Sequence, residues 1–556
     1  MKNNEKSKNP QQAVMMGAAV LFTANLLVKI IGAGFKIPLT YFFDKYGMKD
    51  MGMGYFGIAY TVYTILFVIS TAGFPVAISK MVAEARAQGN NTEARKIFRL
   101  ALGVLTVIGI IGSAIMYFTA KPFASFLGSP TADICIQAIA PSIFFVAIMS
   151  AFRGYFQGRQ NMFPTAASEV VESLGKLIFG LILVSMFIDI DIRLAATGAV
   201  AGVSIGSAAG ALVIFVIYLF NKKKSHEVKK QTRSTKDIMK GLLLLAVPVT
   251  LAAAAPHLIN LLDTVTVVSR LQLRPGVDSA AATAMLGRYT GFALPMFNLP
   301  LVLVVAIATS VVPAISKALL LGKKHTAKSI VESVLRITML IAIPCAVGLT
   351  VLASPILSTI YGTDHATSLL QKLGPAVLLG SFLSITNAIL QSYGKAKLTI
   401  IGIAIGGTVK LVMNYFLVPA IGIDAAPLAT SASYIFTVGL NLFFVYRIAK
   451  PDLGIFDFFL KPLAAAVGMG VAAWFSYSLI LPWGVSKAAW ILPMVDTAAD
   501  AANWGIKISC AIAICIGMFV YGLLLFVVRA IKTEDVEMLP KGEKLAKLLG
   551  KFKLIK

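Results

Sequence analysis

Two lysines in the first long apolar segment are the residues most suited to binding chemistry. Lys29 and Lys36 lie seven positions apart within residues 25–40. Seven residues are about two helical turns, so a helix places both ammonium groups on one side. A charge inside a membrane costs about 2.5–3.5 kcal/mol on insertion scales and usually faces a cavity. The pair therefore predicts either an anion-binding face or two anchors that extend to the outer headgroups.

The composition predicts that this segment belongs to an integral membrane protein. Of 556 residues, 58% are hydrophobic and 13% are charged, with a mean hydropathy of +0.82. Soluble domains contain about 25% charged residues. The four cysteines lie in apolar runs without CxxC spacing, which favours packing over a disulfide framework or metal site. No cofactor is expected.

Apolar runs of about 20 residues recur along the whole chain, and each is long enough to cross a bilayer. They predict an all-α protein with about fourteen transmembrane helices. These runs cover residues 13–37, 55–78, 97–120, 134–156, 165–188, 194–220, 241–269, 286–312, 330–353, 368–392, 398–421, 425–447, 456–480 and 505–530.

The distribution of basic residues predicts the orientation. The formal net charge is +25, and most of the 50 lysines and arginines fall in loops and tails on one side of the predicted spans. This asymmetry is typical of cytoplasmic loops and places both termini in the cytoplasm. Because the basic residues are scattered and form no single face, nucleic-acid binding is not expected. The cluster Lys222–Lys240 is interpreted chiefly as an orientation signal, with a hinge linker that contacts anionic lipids as the alternative. The basic amphipathic tail Lys541–Lys556 favours contact with the inner membrane surface.

The two halves of the chain resemble each other at a shift of about 234 residues. Residues 141–176 align without a gap on residues 375–410, and Pro75–Lys80 recurs as Pro313–Lys317. Six spans per repeat give both halves the same orientation, with a binding site expected at their interface. The predicted organisation is a tail (1–12), an N-terminal lobe (13–220), a basic linker (221–240), a C-terminal lobe (241–447), two further helices (448–531) and a basic tail (532–556).

The repeat extends the set of candidate cavity residues. The shift carries Lys29 onto Asp263 and Lys36 onto Arg270, so the seventh span repeats a charged pair at the same spacing. A short carboxylate cannot reach the headgroups as a lysine can, which favours a cavity. Lys410 has no acidic residue one turn away and is predicted to face the space between the lobes.

Other charged residues within the spans are predicted to neutralise each other locally. Glu172 precedes Lys176 by four residues, and Glu332 precedes Arg336 by the same interval. Helical neighbours at this spacing form ion pairs.

Three features are interpreted as structural. The face formed by Gly198, Gly202, Gly206 and Gly210 predicts close helix packing. The Asp189-Ile-Asp191 sequence is interpreted as a solvated cluster, because little around it offers further metal ligands. His257 is interpreted as a polar packing residue, with proton relay as the alternative.

Several motifs together resemble the stage V sporulation protein B/MurJ-like branch of the multidrug/oligosaccharidyl-lipid/polysaccharide exporter superfamily. The resemblance covers nearly the whole chain. The motifs are Lys29-Ile-Ile-Gly with Lys36-Ile-Pro-Leu-Thr40, Gly73-Phe-Pro-Val-Ala-Ile-Ser-Lys80, Asn298-Leu-Pro300 with Ser310-Val-Val-Pro313, and Leu539-Pro-Lys-Gly542.

The resemblance implies two six-helix lobes plus two extra C-terminal helices in a bacterial cell membrane. It implies a flippase that moves an undecaprenyl-diphosphate-linked sugar, either lipid II or a polysaccharide repeat unit, from the inner to the outer leaflet. Cavity cations on spans one and eight then correspond to Lys29, Lys36 and Arg288. The chain departs from the family pattern on span two, where Tyr55–Phe74 contains no charge.

Two other functions compete with this one. A cation-coupled multidrug exporter of the same superfamily would concentrate carboxylates in one lobe, whereas the candidate cavity carries mainly cations. A membrane glycan transferase or polymerase would need an acid/base carboxylate in a large outer loop. The longest outer connection offers only Asp496 and Asp500. No enzymatic activity is therefore expected, and a monomer is the expected state.

Overall fold

The computed structural model describes residues 10–221, 232–452, 454, 456–491 and 498–528, and within these residues it contains helices and no strand. The helices are α1 (Pro10–Asp44), α2 (Lys49–Thr71), α3 (Gly73–Ala87), α4 (Asn91–Phe118), α5 (Ala120–Phe126), α6 (Asp133–Gly158), α7 (Phe163–Phe187), α8 (Ile192–Phe220), α9 (Thr235–Leu271), α10 (Ser279–Gly287), α11 (Leu294–Leu320), α12 (Lys324–Val351), α13 (Ala353–Tyr361), α14 (Thr367–Ser392), α15 (Ala396–Ile421), α16 (Ala425–Ala449), α17 (Lys461–Ile491) and α18 (Ala498–Val527).

The all-α membrane fold is confirmed. In the described part of the chain, twelve helical runs are long and apolar enough to cross a membrane, or thirteen if α9, bent by 43° near Pro256, counts as one span. The predicted number of fourteen is not confirmed. One of the twelve runs is Ala396–Ala449, which contains both α15 and α16. The basic tail Lys541–Lys556 and half of the predicted linker, residues 222–231, lie outside the described residues.

The chain forms two compact units, Met1–Gly287 and Arg288–Lys556. This division falls after the seventh predicted span, because α9 packs against α2 and α3 of the first unit. It therefore differs from the lobe boundary expected at the basic linker. The six-helix lobes stay a prediction.

The helix bounds reproduce the internal repeat. Helices α4, α5, α6, α7 and α8 begin at residues 91, 120, 133, 163 and 192, and α12 to α16 begin at 324, 353, 367, 396 and 425. Each pair of starts is about 234 residues apart, the interval found in the sequence. Equivalent sequence in the two halves therefore folds into equivalent helices.

Helices α7 and α8 pack closely against each other, and glycine permits their approach. A Cβ atom on Gly206 would lie 2.4 Å from the Glu172 carbonyl oxygen and 2.6 Å from the Lys176 backbone nitrogen. A Cβ on Gly202 would lie 2.4 Å from the Cα of Gly180. The predicted packing role of this glycine face is consistent with these distances.

We expect Gly206→Ala to lower the melting temperature of the purified protein. The added methyl group meets backbone atoms that cannot rotate away, and overpacking of this kind costs about 1–3 kcal/mol. Gly439→Ala is the matched control, because a Cβ added to Gly439 in α16 would meet no neighbouring atom within 4 Å. Equal melting temperatures for the two variants would contradict the close approach.

Candidate functional site

The first unit contains a charged cavity of about 610 Å³ between its helices. This size is within the range of small-ligand sites. Its walls come from α1, α2, α3, α6, α7, α8 and α9. The charged residues that line it are Arg153 on α6 and Glu169, Glu172 and Lys176 on α7.

One face of α7 supplies most of the charge. Glu169, Glu172, Ser173 and Lys176 are spaced i, i+3, i+4 and i+7, which places them in one row along a helix. A polar row on an otherwise apolar membrane helix must face protein or water, because lipid offers no partner for it. The cavity provides that environment.

Aromatic ring faces surround the ammonium group of Lys176. Its Nζ lies 4.6 Å from the ring centre of Tyr60, 5.1 Å from Phe35 and 5.7 Å from Phe56. Each ring attracts a cation through its quadrupole. Among the described residues, no carboxylate lies within salt-bridge distance of Lys176, so the positive charge remains available to an anion.

The second cation of the cavity is already paired. Arg153 donates to the Glu172 carboxylate at 2.9 Å and to the Ser168 hydroxyl at 3.0 Å. Ser207 on α8 donates to the other Glu172 oxygen at 3.1 Å. The side chains of Arg153 and Glu172 are only 8% and 16% exposed, so this pair joins α6, α7 and α8 inside the bundle.

The predicted neutralisation of Glu172 by Lys176 is therefore wrong. Both residues are on the same face of α7, but Glu172 binds Arg153 from the neighbouring helix and Lys176 points into the aromatic rings. A guanidinium group offers several donors in a planar fork and suits a buried carboxylate better than an ammonium group does. In the other predicted pair, Glu332 contacts Lys328 at 3.7 Å.

The predicted site residues on α1 lie near the cavity without lining it. Lys29 and Lys36 are on α1, next to the lining residues Val28 and Phe35. Lys36 is close enough to Lys176 for the two ammonium groups to repel each other.

The other predicted site residues lie farther along the chain. On α9, Asp263 is buried, and Arg270 is in the last turn, whereas His257 is the residue of that helix that lines the cavity. Arg288 begins the second unit, and Lys410 is buried on α15. All four predicted charged residues have interaction partners in the structure. Their role in substrate binding stays a prediction.

The sequence contains a signal for Lys176, which the spacing argument missed. Lys176 is the repeat equivalent of Lys410, whose lack of a local acidic partner made it a candidate. The i, i+3, i+4, i+7 row on α7 is the second signal. Both signals are easily overlooked because Glu172 lies one helical turn from Lys176. Sequence spacing alone does not show which helix supplies the partner of a charged residue.

The Asp189-Ile-Asp191 turn has structural partners. Lys45 and Tyr46, in the turn between α1 and α2, both donate to the Asp189 carboxylate, Tyr46 at 2.8 Å. These hydrogen bonds lower the pKa of Asp189 below its usual range. The contact is thus present at neutral pH and is lost only as the pH falls through that lowered pKa. Asp191 accepts from the Arg193 backbone and caps α8.

The second unit contains an apolar groove of about 600 Å³. It is formed by α11, α12 and α13 together with α17 and α18. Its lining includes Leu303, Pro344, Met469 and Met518. Tyr521 also lines the groove, and its hydroxyl donates to the Leu340 carbonyl at 2.8 Å, which satisfies its polar atom.

A bundle of long apolar helices around a buried charged cavity is the architecture of a multi-pass membrane transporter. The solved structure of "Lipid II flippase MurJ, inward closed conformation" has this fold, with a TM-score of 0.66, 17% identity and 92% of this chain and 98% of that chain covered. The solved structure of an inward-facing multidrug resistance MATE family transporter of the MOP superfamily has a TM-score of 0.63 and 12% identity, with 76% of this chain and 94% of that chain covered.

The chain belongs to the polysaccharide biosynthesis protein family, whose sequence profile matches residues 14–319. A second profile, MatE, matches residues 288–416. Stage V sporulation protein B of Bacillus subtilis is 26% identical, over 95% of this chain and 98% of the relative. Lipid II flippase MurJ of the same organism is 28% identical, over 78% of this chain and 83% of the relative. The predicted stage V sporulation protein B/MurJ-like membership in the exporter superfamily is confirmed.

Proposed function

We propose that this protein is a flippase for an undecaprenyl-diphosphate-linked sugar, moved from the inner to the outer leaflet by alternating access. The observation that carries this proposal is the ammonium group of Lys176, which is held by ring faces inside a polar cavity of a membrane protein. Family membership and the similarity to MurJ support the same substrate class.

The cavity suits the polar headgroup of such a lipid. A diphosphate is recognised by cations that form charge-assisted hydrogen bonds in a site with little competing water. Lys176 is the cation without a carboxylate partner among the described residues, and Lys36 adds positive potential beside it. Lys29, Asp263, Arg270, Arg288 and Lys410 remain proposed contributors.

The position of the cavity supports loading from the cytoplasm. Arg153 lies near the end of α6, and Glu169 lies in the second turn of α7, on either side of the turn that contains Arg159. From the positive-inside pattern we propose that this basic turn and both termini lie on the cytoplasmic side. A headgroup from the inner leaflet would then meet the cavity first.

The apolar groove of the second unit fits the hydrocarbon part of the substrate. Its lining is almost entirely apolar, and it involves α17 and α18, which lie outside the internal repeat. Burial of a polyprenyl chain there would be driven by its apolar area. We propose that this groove binds the polyprenyl tail.

Reconstitution into liposomes tests the proposal. Fluorescent lipid II and a fluorescent undecaprenyl-diphosphate-linked polymer repeat unit are placed in one leaflet, and their accessibility in the other leaflet is followed by quenching. We expect at least one substrate to cross with its covalent structure unchanged.

Two outcomes would point to the competing functions. Export of a cationic dye without movement of either lipid would favour a multidrug exporter. A covalently altered glycan would favour a transferase or polymerase.

A further inference from the structure

The carboxyl group of Glu169 is a cavity feature that headgroup binding by cations leaves unexplained. Glu169 lines the cavity, and its Oε2 is closed to solvent and has no hydrogen-bond partner among the described residues. An ionised carboxylate with one oxygen closed to solvent loses hydration there without gaining a donor for that oxygen, which disfavours its charged form. Other buried oxygens of the cavity, such as those of Glu172, have donors.

The charged groups around Glu169 set the electrostatics of the cavity. Its neighbours on α7 are Glu172 and Lys176, and α6 supplies Arg153. The other packed elements contribute, within or beside this cavity, Lys29 and Lys36 on α1, the hydroxyls of Tyr60 and Tyr63 on α2, Ser207 on α8, and His257 on α9.

The charges that line the cavity balance when Glu169 is ionised. Arg153 and Glu172 cancel as a salt bridge, and Lys176 then opposes Glu169. Protonation of Glu169 leaves a net charge of +1. An anion is bound more strongly in the second state, because a like charge has been removed from a site of low dielectric constant.

The internal repeat separates this electrostatic role from a structural one. Lys176 is matched by Lys410 in the second unit, but Glu169, Glu172 and Arg153 are matched by Ile403, Gly406 and Asn387. Helix α15 forms over the same length as α7 without these carboxylates. The fold of the repeat therefore does not require an acidic residue at the position of Glu169.

We infer that Glu169 is a proton-binding site linked to anion binding in this cavity, so that a bound lipid diphosphate headgroup raises its proton occupancy. The inference rests on the proposed function for the identity of the anion. Linkage is reciprocal, since a proton that strengthens anion binding is itself bound more strongly when the anion is present. The carboxyl group takes the proton from solvent and returns it when the headgroup leaves.

Proton uptake can be measured directly with farnesyl diphosphate as the probe. Calorimetric titration of the full-length protein in detergent, in buffers of different ionisation enthalpy, gives the number of protons taken up per bound anion. We expect wild-type affinity to rise by about fivefold or more between about pH 8 and about pH 6, within the usual range of coupling. Glu169→Gln should bind tightly at both pH values and take up fewer protons, because its amide is already neutral.

Matched variants separate this site from other titrating groups. Glu84→Gln removes a carboxyl that lies outside the cavity and contacts Lys80, and it should take up protons as wild type does. His257→Asn removes the cavity histidine, and it should still take up the protons that Glu169 binds when the diphosphate is bound. Glu169→Asp should retain pH dependence, because it keeps a carboxyl group.

Two results would overturn the inference, and they are distinguishable. If Glu169→Gln binds the diphosphate with the same proton uptake and pH dependence as wild type, the linkage is wrong and the proposed function stands. If wild type does not bind the diphosphate at any pH, both the linkage and the proposed substrate class are wrong.

Discussion

Replacement of Lys176 by methionine is expected to abolish transport while the protein still inserts and folds. Methionine keeps much of the length of the side chain and its contact with Tyr60, Phe35 and Phe56, but it removes the charge. A hydrogen bond to a charged group contributes about 1.5–3 kcal/mol, which corresponds to a loss of about 10- to 150-fold in headgroup affinity. The measurement is flipping of fluorescent undecaprenyl-diphosphate-linked sugar in liposomes.

Two comparisons make the result specific to the cavity. Lys176→Arg keeps the charge and should retain part of the activity, with a loss that reflects the different shape of the guanidinium group. Lys507→Met removes another cation held over a ring, 4.9 Å from the centre of Trp504 on α18, outside the charged cavity. It should transport at the wild-type rate. Full transport by Lys176→Met would exclude this lysine as a headgroup contact.

The fold was largely predictable because hydropathy and repetition act at the level of whole helices. Runs of about 20 apolar residues marked the helices, and the repeat of residues 141–176 at 375–410 was reproduced in the bounds of α6, α7, α14 and α15. The lobe boundary was harder to predict. Whether α9 packs with the helices before or after it depends on close contacts, such as that of Gly73 with the Ala246 carbonyl, which no periodicity encodes.

The site was only partly predictable, for a related reason. Membrane-embedded charges could be found from the sequence, but their partners could not. Lys176 and Arg153 were both visible as basic residues, and helical spacing favoured the nearest carboxylate as the partner of Lys176. In the folded protein Glu172 pairs with a residue of α6, although it lies in the same row of α7 residues as Lys176. Residues of one row can therefore contact different neighbouring helices. Which residues pair between two helices depends on how each helix is rotated about its own axis. Sequence spacing along one helix does not specify that rotation.

Removal of Arg153 alone is expected to be the most destabilising change in the cavity. Arg153→Ala leaves the Glu172 carboxylate with its charge and without its cation, at a position where that side chain is 16% exposed. Loss of one partner of a buried ion pair costs about 3–5 kcal/mol. We expect a large fall in melting temperature. The control is Lys372→Ala, which breaks the pair with Asp424, where the two side chains are 35% and 34% exposed. More exposed pairs contribute about 0–1 kcal/mol, so a smaller fall is expected there.

The double variant Arg153→Met/Glu172→Met separates stability from transport. With both charges removed, neither member of the pair is left as a buried charge without its partner, and replacement of an ion pair by apolar side chains is often neutral or stabilising. We therefore expect the melting temperature to recover most of the loss. The second unit, with Asn387 and Gly406 at the equivalent positions, folds without this pair.

Transport by the double variant should stay impaired. Lys176 and Glu169 remain as the charged lining of the cavity, but the dipole of the ion pair that links α6 to α7 beside them has been removed. Recovery of both stability and transport would mean that the pair serves the fold alone, whereas no recovery of stability would mean that Arg153 and Glu172 act independently.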